Sequence, residues 1–559
     1  MTTRAHVIGR RLALLAGLCV LLGSVGIAPA FADTPSSGGD LTVAQTLGDR
    51  ELTIVLRRVT GVPGPLRTDV ITHTGSAPGH LALEVTPTGT STRSSSLPAP
   101  GAPTAARAGV ELGTTPGTYS ATVAVDRPGP WELAISDGQR VARIPFVVPI
   151  QAASPPERAV YGGFLTAGVL LLVSVVVATR ARRGAWALVP AAGLVTAISV
   201  ALTGAVLSAS LPLPPQPGGQ LDPTVDNVTA PYALAKPLVT DFSRPPVTLD
   251  IEGGALVAGE PGDIELNLTD GATGTPVDDL LVHDDALIHL LLVGPTGQLW
   301  HLHPIRTAPG RYQQHLSLPT PGHYALSAEM VRRGGGVQLV RAAEGLDAGP
   351  LGNTSGPVTT QEHTARRPVR LGDGQVAGST VIDATPITVT AGRAMAGTPT
   401  TITARAGDTA DLQPWLGMVG HMIVVGPLPT TGEAEGEAVQ NAPVWAHAHS
   451  MGGMAMAGMG EMTMPMGARP TAGMGDASGM GTGMGAGAGL GAMTGLAPVN
   501  GDSAPDETVA AYGPDVPFTY TFPTGGQYRL WIQVERDYTV LTVPLVFDVA
   551  ASMSNGVRQ

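Results

Sequence analysis

The chain has 559 residues, a formal net charge of −12, and 14% charged and 4% aromatic residues beside 74 glycines and 50 prolines. That length accommodates about three or four domains of ordinary size. The glycine and proline content favours short strands joined by turns over helical bundles. The acidity argues against nucleic acid as a partner. Cys19 is the single cysteine and lies in the leader, so the mature chain has no thiol nucleophile, disulfide or Cys-based zinc site. Any soft-metal site must use Met and His.

Residues 1–32 carry Arg4, Arg10 and Arg11, then the apolar run Leu12 to Ile27, then Ala30-Phe31-Ala32, the pattern of a cleaved secretory signal. Residues 33–152 alternate as strands: LTVAQTL, ELTIVLRRV, LALEVTP, YSATVAV, WELAISD and RIPFVVP. Within them, PGTYSATVAVDRPGPWELAIS (Pro116 to Ser136) is a strand, a Pro-Gly turn and a second strand. This hairpin resembles the C-terminal hairpin of YtkA-like and FixH-like domains, which implies a small extracytoplasmic β-sandwich. His73 and His80 fall in turns without paired spacing and read as structural.

Two apolar runs, Val160 to Thr179 and Ala185 to Leu211, are each long enough to span a bilayer. Arg180, Arg182 and Arg183 between them place the short loop on the cytoplasmic side and the flanking parts outside. Neither run carries an ionisable residue, so the 158–211 hairpin reads as an anchor rather than an ion pathway. A proline-rich linker fills 212–246. Strand alternation returns over 247–345, a loop or linker is expected over 346–380, and a second strand set covers 381–550.

The two sets are an internal repeat. IHLLLVGP (Ile288 to Pro295) matches GHMIVVGP (Gly420 to Pro427), and LWHLHP (Leu299 to Pro304) matches WAHAHS (Trp445 to Ser450). PGHYALSAEM (Pro321 to Met330) matches GGQYRLWIQV (Gly525 to Val534). Each copy therefore holds a histidine opening one strand (His289, His421) and a His-x-His pair on another (His301 and His303; His447 and His449). Alternate residues of a strand share a face, so each pair presents two imidazoles to one side. A neighbouring strand could bring the third alongside, giving a three-imidazole site for Cu(II) or Zn(II), completed in the first copy by Glu329 or Asp285. Met418, Met422 or the following insert could add soft ligands in the second. The other reading of each triad is a set of hydrogen-bonded edge histidines. His315 and His323 read as strand-surface histidines and His363 as a loop residue.

The second copy is enlarged by a Gly/Ala/Met-rich insert, 451–497, with eleven methionines between Met451 and Met493. Such a stretch has too much glycine to pack, and disorder is expected. Met451, Met454 and Met456, and Met462, Met464 and Met466, are spaced to wrap thioethers around Cu(I); plain repeat expansion is the alternative.

Asp411-Leu412-Gln413-Pro414-Trp415-Leu416-Gly417-Met418-Val419-Gly420-His421, the His447-Ala448-His449 strand and the Phe522 to Gln533 strand occur in that order. Together they resemble a family of extracytoplasmic β-sandwich proteins associated with heavy-metal handling, over most of 375–550 and more loosely over 247–342. Ser450 departs from that pattern, where a proline is usual. The whole chain is thus expected to be mainly β, several Ig-like or cupredoxin-like sandwiches plus a two-helix transmembrane hairpin. The function expected is membrane-anchored extracytoplasmic binding of a metal ion, copper first and zinc second, for capture, buffering or delivery. A membrane-protein partner is compatible with the hairpin. The alternative is an anchored interaction or structural module without metal. G-x-S-x-G, H-E-x-x-H, Walker and H-x-H-x-D signatures are all missing, so an enzyme is not expected.

Overall fold

The computed structural model describes residues 40–57, 59, 61–88, 104–148, 155–180, 184–210, 245–253, 256–332, 336–351, 367–429, 435–450 and 506–552. Strands dominate, in six sheets that pair into three sandwiches. The mainly β, multi-sandwich architecture expected from the sequence is the one the chain adopts. The leader, the proline-rich linker up to residue 244 and the Met-rich insert lie outside the described residues, with Arg182, Arg183 and His363.

In the first sandwich one sheet runs Leu41–Leu47, Arg50–Leu56, Gly64–Thr72, Gly117–Val125, and the other Ala106–Leu112, Gly79–Pro87, Gly129–Ser136, Val141–Val148. Period-two patterning sends Val43, Ile54, Leu81, Leu83, Trp131 and Leu133 into the shared core. The helices Pro155–Arg180 and Leu188–Ser210 follow, both long and apolar enough to cross a membrane. They pack closely: a Cβ on Gly163 would lie 2.9 Å from the Ala197 carbonyl oxygen, so glycine is what lets the helices approach. Their outward faces expose Leu165, Leu172, Val189 and Val206.

The two C-terminal copies share one plan. In the first, His289–Val293 lies between Leu299–Leu302 and Gly322–Arg332; in the second, Gly420–Leu428 lies between Val444–Ser450 and Gly526–Arg536. The registers correspond: His289 faces Glu329 as His421 faces Gln533, and Leu291 faces His301 as Ile423 faces His447. The stretch 346–380 differs from the loop expected there. Leu346–Gly349 joins the first copy's sheet, while Val369–Leu371 and Ala377–Ile382 belong to the second copy. The first two of these strands, of 4 and 3 residues, are too short for alternation to register in a sequence.

Both faces of the His289 and His421 strands are covered. Leu290 and Leu292 enter the first copy's own core, and Met422 and Val424 the second's. The opposite faces stack on each other: Leu291, Val293, Leu299 and Ala325 of one copy meet Ile423, Val425 and Trp531 of the other. This explains the unbroken burial along both strands, which alternation would forbid in a one-sided sheet. The Trp531 indole N–H donates to the Gly297 carbonyl across the junction at 3.0 Å. Trp531→Ala should therefore lower the stability of the purified full chain by about 3–5 kcal/mol in the first denaturant transition; an unchanged midpoint would show that the copies do not depend on this contact.

Candidate metal centre

The apolar half of the copy–copy junction continues into a half made of histidines. His289 and the 301/303 pair belong to the first copy, His421 and the 447/449 pair to the second. Within each triad one ligand atom per residue lies within 4.8 Å of the others. The triads also meet each other, with ring centroids 5.2 Å apart for His301 and His447 and 5.5 Å for His289 and His447. The sequence expectation that each opening histidine joins its own His-x-His pair thus agrees with the geometry. The meeting of the two triads was not anticipated.

Which nitrogen faces inward is set by what holds the other. His289 Nε2 lies 3.0 Å from the His283 carbonyl oxygen, and His421 Nε2 lies 2.9 Å from that of Trp415. A carbonyl only accepts, so both Nε2 atoms carry the proton and both Nδ1 atoms are bare. His289 Nδ1 then faces His301 Nε2 at 3.0 Å, and His421 Nδ1 faces His447 Nε2 at 3.0 Å. His301 Nδ1 donates to Gln533 Oε1 at 3.0 Å; the Gln533 amide is oriented by its Nε2 donating to Thr542 Oγ1. The Glu329 carboxylate stands 3.7 Å from His447 Nδ1, beyond hydrogen-bond distance. In the first copy two unprotonated nitrogens therefore point at each other; in the second, the bare His421 Nδ1 faces His447 Nε2.

The third members follow the same rule. His303 Nδ1 donates to Glu51 Oε1 at 2.5 Å, leaving Nε2 buried without a partner. His449 Nδ1 faces Asp284 Oδ2 at 3.4 Å, and its Nε2 is likewise buried and unpartnered. Burial holds His289, His301, His421 and His447 well below the ordinary imidazole range, and the neighbouring imidazoles push further the same way. These four are therefore neutral at pH 7, the form a metal ligand requires.

The acceptors come from places the sequence reading left aside. Glu51 belongs to the first sandwich, where Thr46 Oγ1 donates to its Oε2 at 2.8 Å; the Thr46 N–H also donates to the His303 carbonyl at 2.8 Å. His283 and Asp284 sit in a two-residue turn whose central residues, Asp284 and Asp285, take φ of 45° and 56°. Leu416 and Gly417, at 53° and 69°, form the equivalent turn before His421, and the glycine relieves one of its two left-handed positions. The shared signal was available: His283 precedes His289, and Trp415 precedes His421, by six residues. Glu329 does not complete the first copy's triad as expected but serves His447 of the second. Asp285 is buried, its carboxyl raised to about 7 by burial and then by Asp284. Met422 points into its own core, away from His421. Met451, Met454, Met456, Met462, Met464 and Met466 lie outside the described residues. His80 is exposed beside Glu111, and His315 and His323 pair with Asp263 and Asp347 at the surface.

His73 departs from the simple turn histidine expected. It is buried between the first sandwich and the second copy, Nδ1 on Glu535 Oε1 at 2.6 Å and Nε2 on Thr53 Oγ1 at 3.1 Å, with Glu507 at 4.0 Å. Burial alone would lower its pKa; Glu535, Glu507 and Glu51 more than offset this and raise it to about 9.

A domain of unknown function, DUF8832, matches residues 503–551. No curated protein matches the chain in sequence. Among solved structures, a Salmonella alpha-2-macroglobulin mutant is 10% identical with a TM-score of 0.15, over 91% of this chain and 23% of its own length. The Escherichia coli adhesin FdeC is 11% identical with a TM-score of 0.13, over 92% of this chain and 98% of its own. A putative membrane anchored protein from Corynebacterium diphtheriae is 7% identical with a TM-score of 0.13, over 89% and 92%. Similarity of this degree carries no argument about function.

Because His73 is raised from 6.5 to about 9, its contribution to stability is full below pH 6.5 and is lost as pH rises through 9. The expected size is up to about 3 kcal/mol. His73→Gln should thus unfold more easily than wild type at pH 6 and match it above pH 9. A gap that is constant across that range would mean that His73 carries no proton in the folded protein.

Proposed function

We propose that this chain is a membrane-anchored metal-binding protein that captures, buffers or delivers copper on the extracytoplasmic side. The observation that carries the reading is the approach of two imidazole nitrogens to 3.0 Å in each triad, both of them bare in the first. Two lone pairs at that distance repel. Either a proton or a cation between them would relieve the repulsion, and burial works against the proton. One ion can accept both nitrogens at about 2.0 Å. The outer acceptors on His289, His301, His303 and His421, Glu51 and the His283 carbonyl among them, follow the arrangement that orients metal-bound histidines and raises their basicity. Neutral nitrogen ligands without a thiolate suit copper and zinc, and the neighbouring Met-rich insert tips the choice to copper. The two apolar helices support anchoring, and the leader with the arginine loop supports the sidedness. The resemblance to heavy-metal-handling sandwiches points the same way.

A second reading, an anchored non-enzymatic interaction or structural module without metal, is favoured by a different observation. The same histidines stitch three sandwiches together through Glu51, Gln533 and Glu329. The two readings part on titration of the full chain in detergent with Cu(I) under a reductant. Two tightly held equivalents are expected, one lost in His301→Ala and both in His301→Ala/His447→Ala, with the 451–493 deletion retaining both. A full chain that takes up no copper leaves the structural module. Glu51→Gln, which weakens the hold on the His303 tautomer, should loosen the first site alone by about 10- to 100-fold. Equal loosening of both sites would mean that Glu51 acts through domain docking instead.

A further inference from the structure

On the first copy's side of the junction, three more groups converge: His283, Asp284 and Glu329 each offer an atom within 4.8 Å of the others. His283 Nε2 lies 3.0 Å from Asp284 Oδ2 and 4.0 Å from Glu329 Oε1. All three side chains are at most 9% exposed. No Lys or Arg pairs with either carboxylate among the described residues; their charged-group contacts are imidazoles. Asp285, a third carboxyl, adjoins Asp284 in the same turn. Negative charge buried without a cation is costly. The His447 side chain is fully buried, and its Nδ1 has no hydrogen-bond partner while facing Glu329.

We propose that His283, Asp284 and Glu329 form a third cation site, chemically distinct from the imidazole triads and selective for a divalent ion of borderline hardness such as Zn(II). Two carboxylates neutralise a dication, and one imidazole with two carboxylate oxygens is a ligand set that zinc accepts and Cu(I) disfavours. The second copy has no counterpart, because Trp415, Leu416 and Gln533 stand at the equivalent positions. The site is therefore a property of the first copy alone. It lies directly behind His447 and His449, so a cation here would stand one residue away from the second triad.

The full chain in detergent, first saturated with Cu(I) under a reductant, should bind one further equivalent of Zn(II) with copper retained. His283→Ala should abolish that equivalent, counted against the copper that the variant itself retains. Asp284→Asn keeps a residue type that tolerates the left-handed turn and should weaken zinc at least tenfold. Absence of the extra zinc equivalent in wild type, or its survival in both variants, would overturn the proposal. If copper does not bind at all, zinc is titrated into His301→Ala/His447→Ala, where only the third site remains. One His283-dependent equivalent there sustains this inference while the copper reading falls, and none sinks it.

Discussion

His289, His301, His303 and His421 each have one nitrogen held by an acceptor within hydrogen-bond distance, and that fixes the other as a bare lone pair in the protein interior. The geometry of the surrounding sandwiches is arranged around this constraint. The carbonyls of His283 and Trp415 reach His289 and His421 because each lies at the start of a left-handed turn six residues upstream. The Glu51 carboxylate reaches His303 because the edge strand Leu41–Leu47 docks against the first copy through Ala44 and Thr46. Were any of these acceptors a donor, the ring would turn its lone pair outward and the cluster would become an ordinary buried hydrogen-bond network.

The two copies are alike in backbone and unlike in charge. Both use a strand-opening histidine and a His-x-His strand, yet the supporting groups are exchanged between them. The first copy's His301 leans on the neutral amide of Gln533, from the second copy. The second copy's His447 and His449 lean on Glu329 and Asp284, both carboxylates, from the first. A carboxylate behind an imidazole makes it a better donor to a cation than an amide does. The two triads are therefore alike in backbone and differ in the charge behind them, the Glu51 carboxylate behind the first and Glu329 and Asp284 behind the second.

Much of this was legible in the sequence. Alternation gave six of the eight strands of the first sandwich, all but Gly64–Thr72 and Ala106–Leu112, and the apolar runs gave the two helices. The repeated order of an opening histidine and a His-x-His pair, His289, His301 and His303 with His421, His447 and His449, gave the two triads. What escaped was everything set by packing between domains. A strand buried on both faces, such as His289–Val293, reads the same whether its second face meets a helix or another copy of itself. Glu51 lies 252 positions from His303, and no local pattern links them. Gln533 and Glu329 were visible as matching positions of the repeat, but their crossing to the opposite copy follows only from the stacking of the two sheets. His283 was readable in principle, since extending the repeat upstream aligns it with Trp415. The short strands near residues 346–371 were not.

Placing the histidines between sandwiches rather than inside one changes what a bound ion would do. A site inside a single sandwich is formed when that sandwich folds, and occupying it alters little else. Here each triad comes from one copy, but the groups that orient it come from the facing copy and from the first sandwich. The orientation of the imidazoles is complete only when all three are docked, so the free energy of binding would also be free energy of docking. The apolar contacts around Trp531 hold the copies together on one side of the junction. The histidine half of the same junction brings imidazole nitrogens to 3.0 Å within each copy. On the metal-binding reading proposed above, a cation entering between those nitrogens would close a junction that its apolar half already holds, the property expected of a protein that must take up a metal and later give it away.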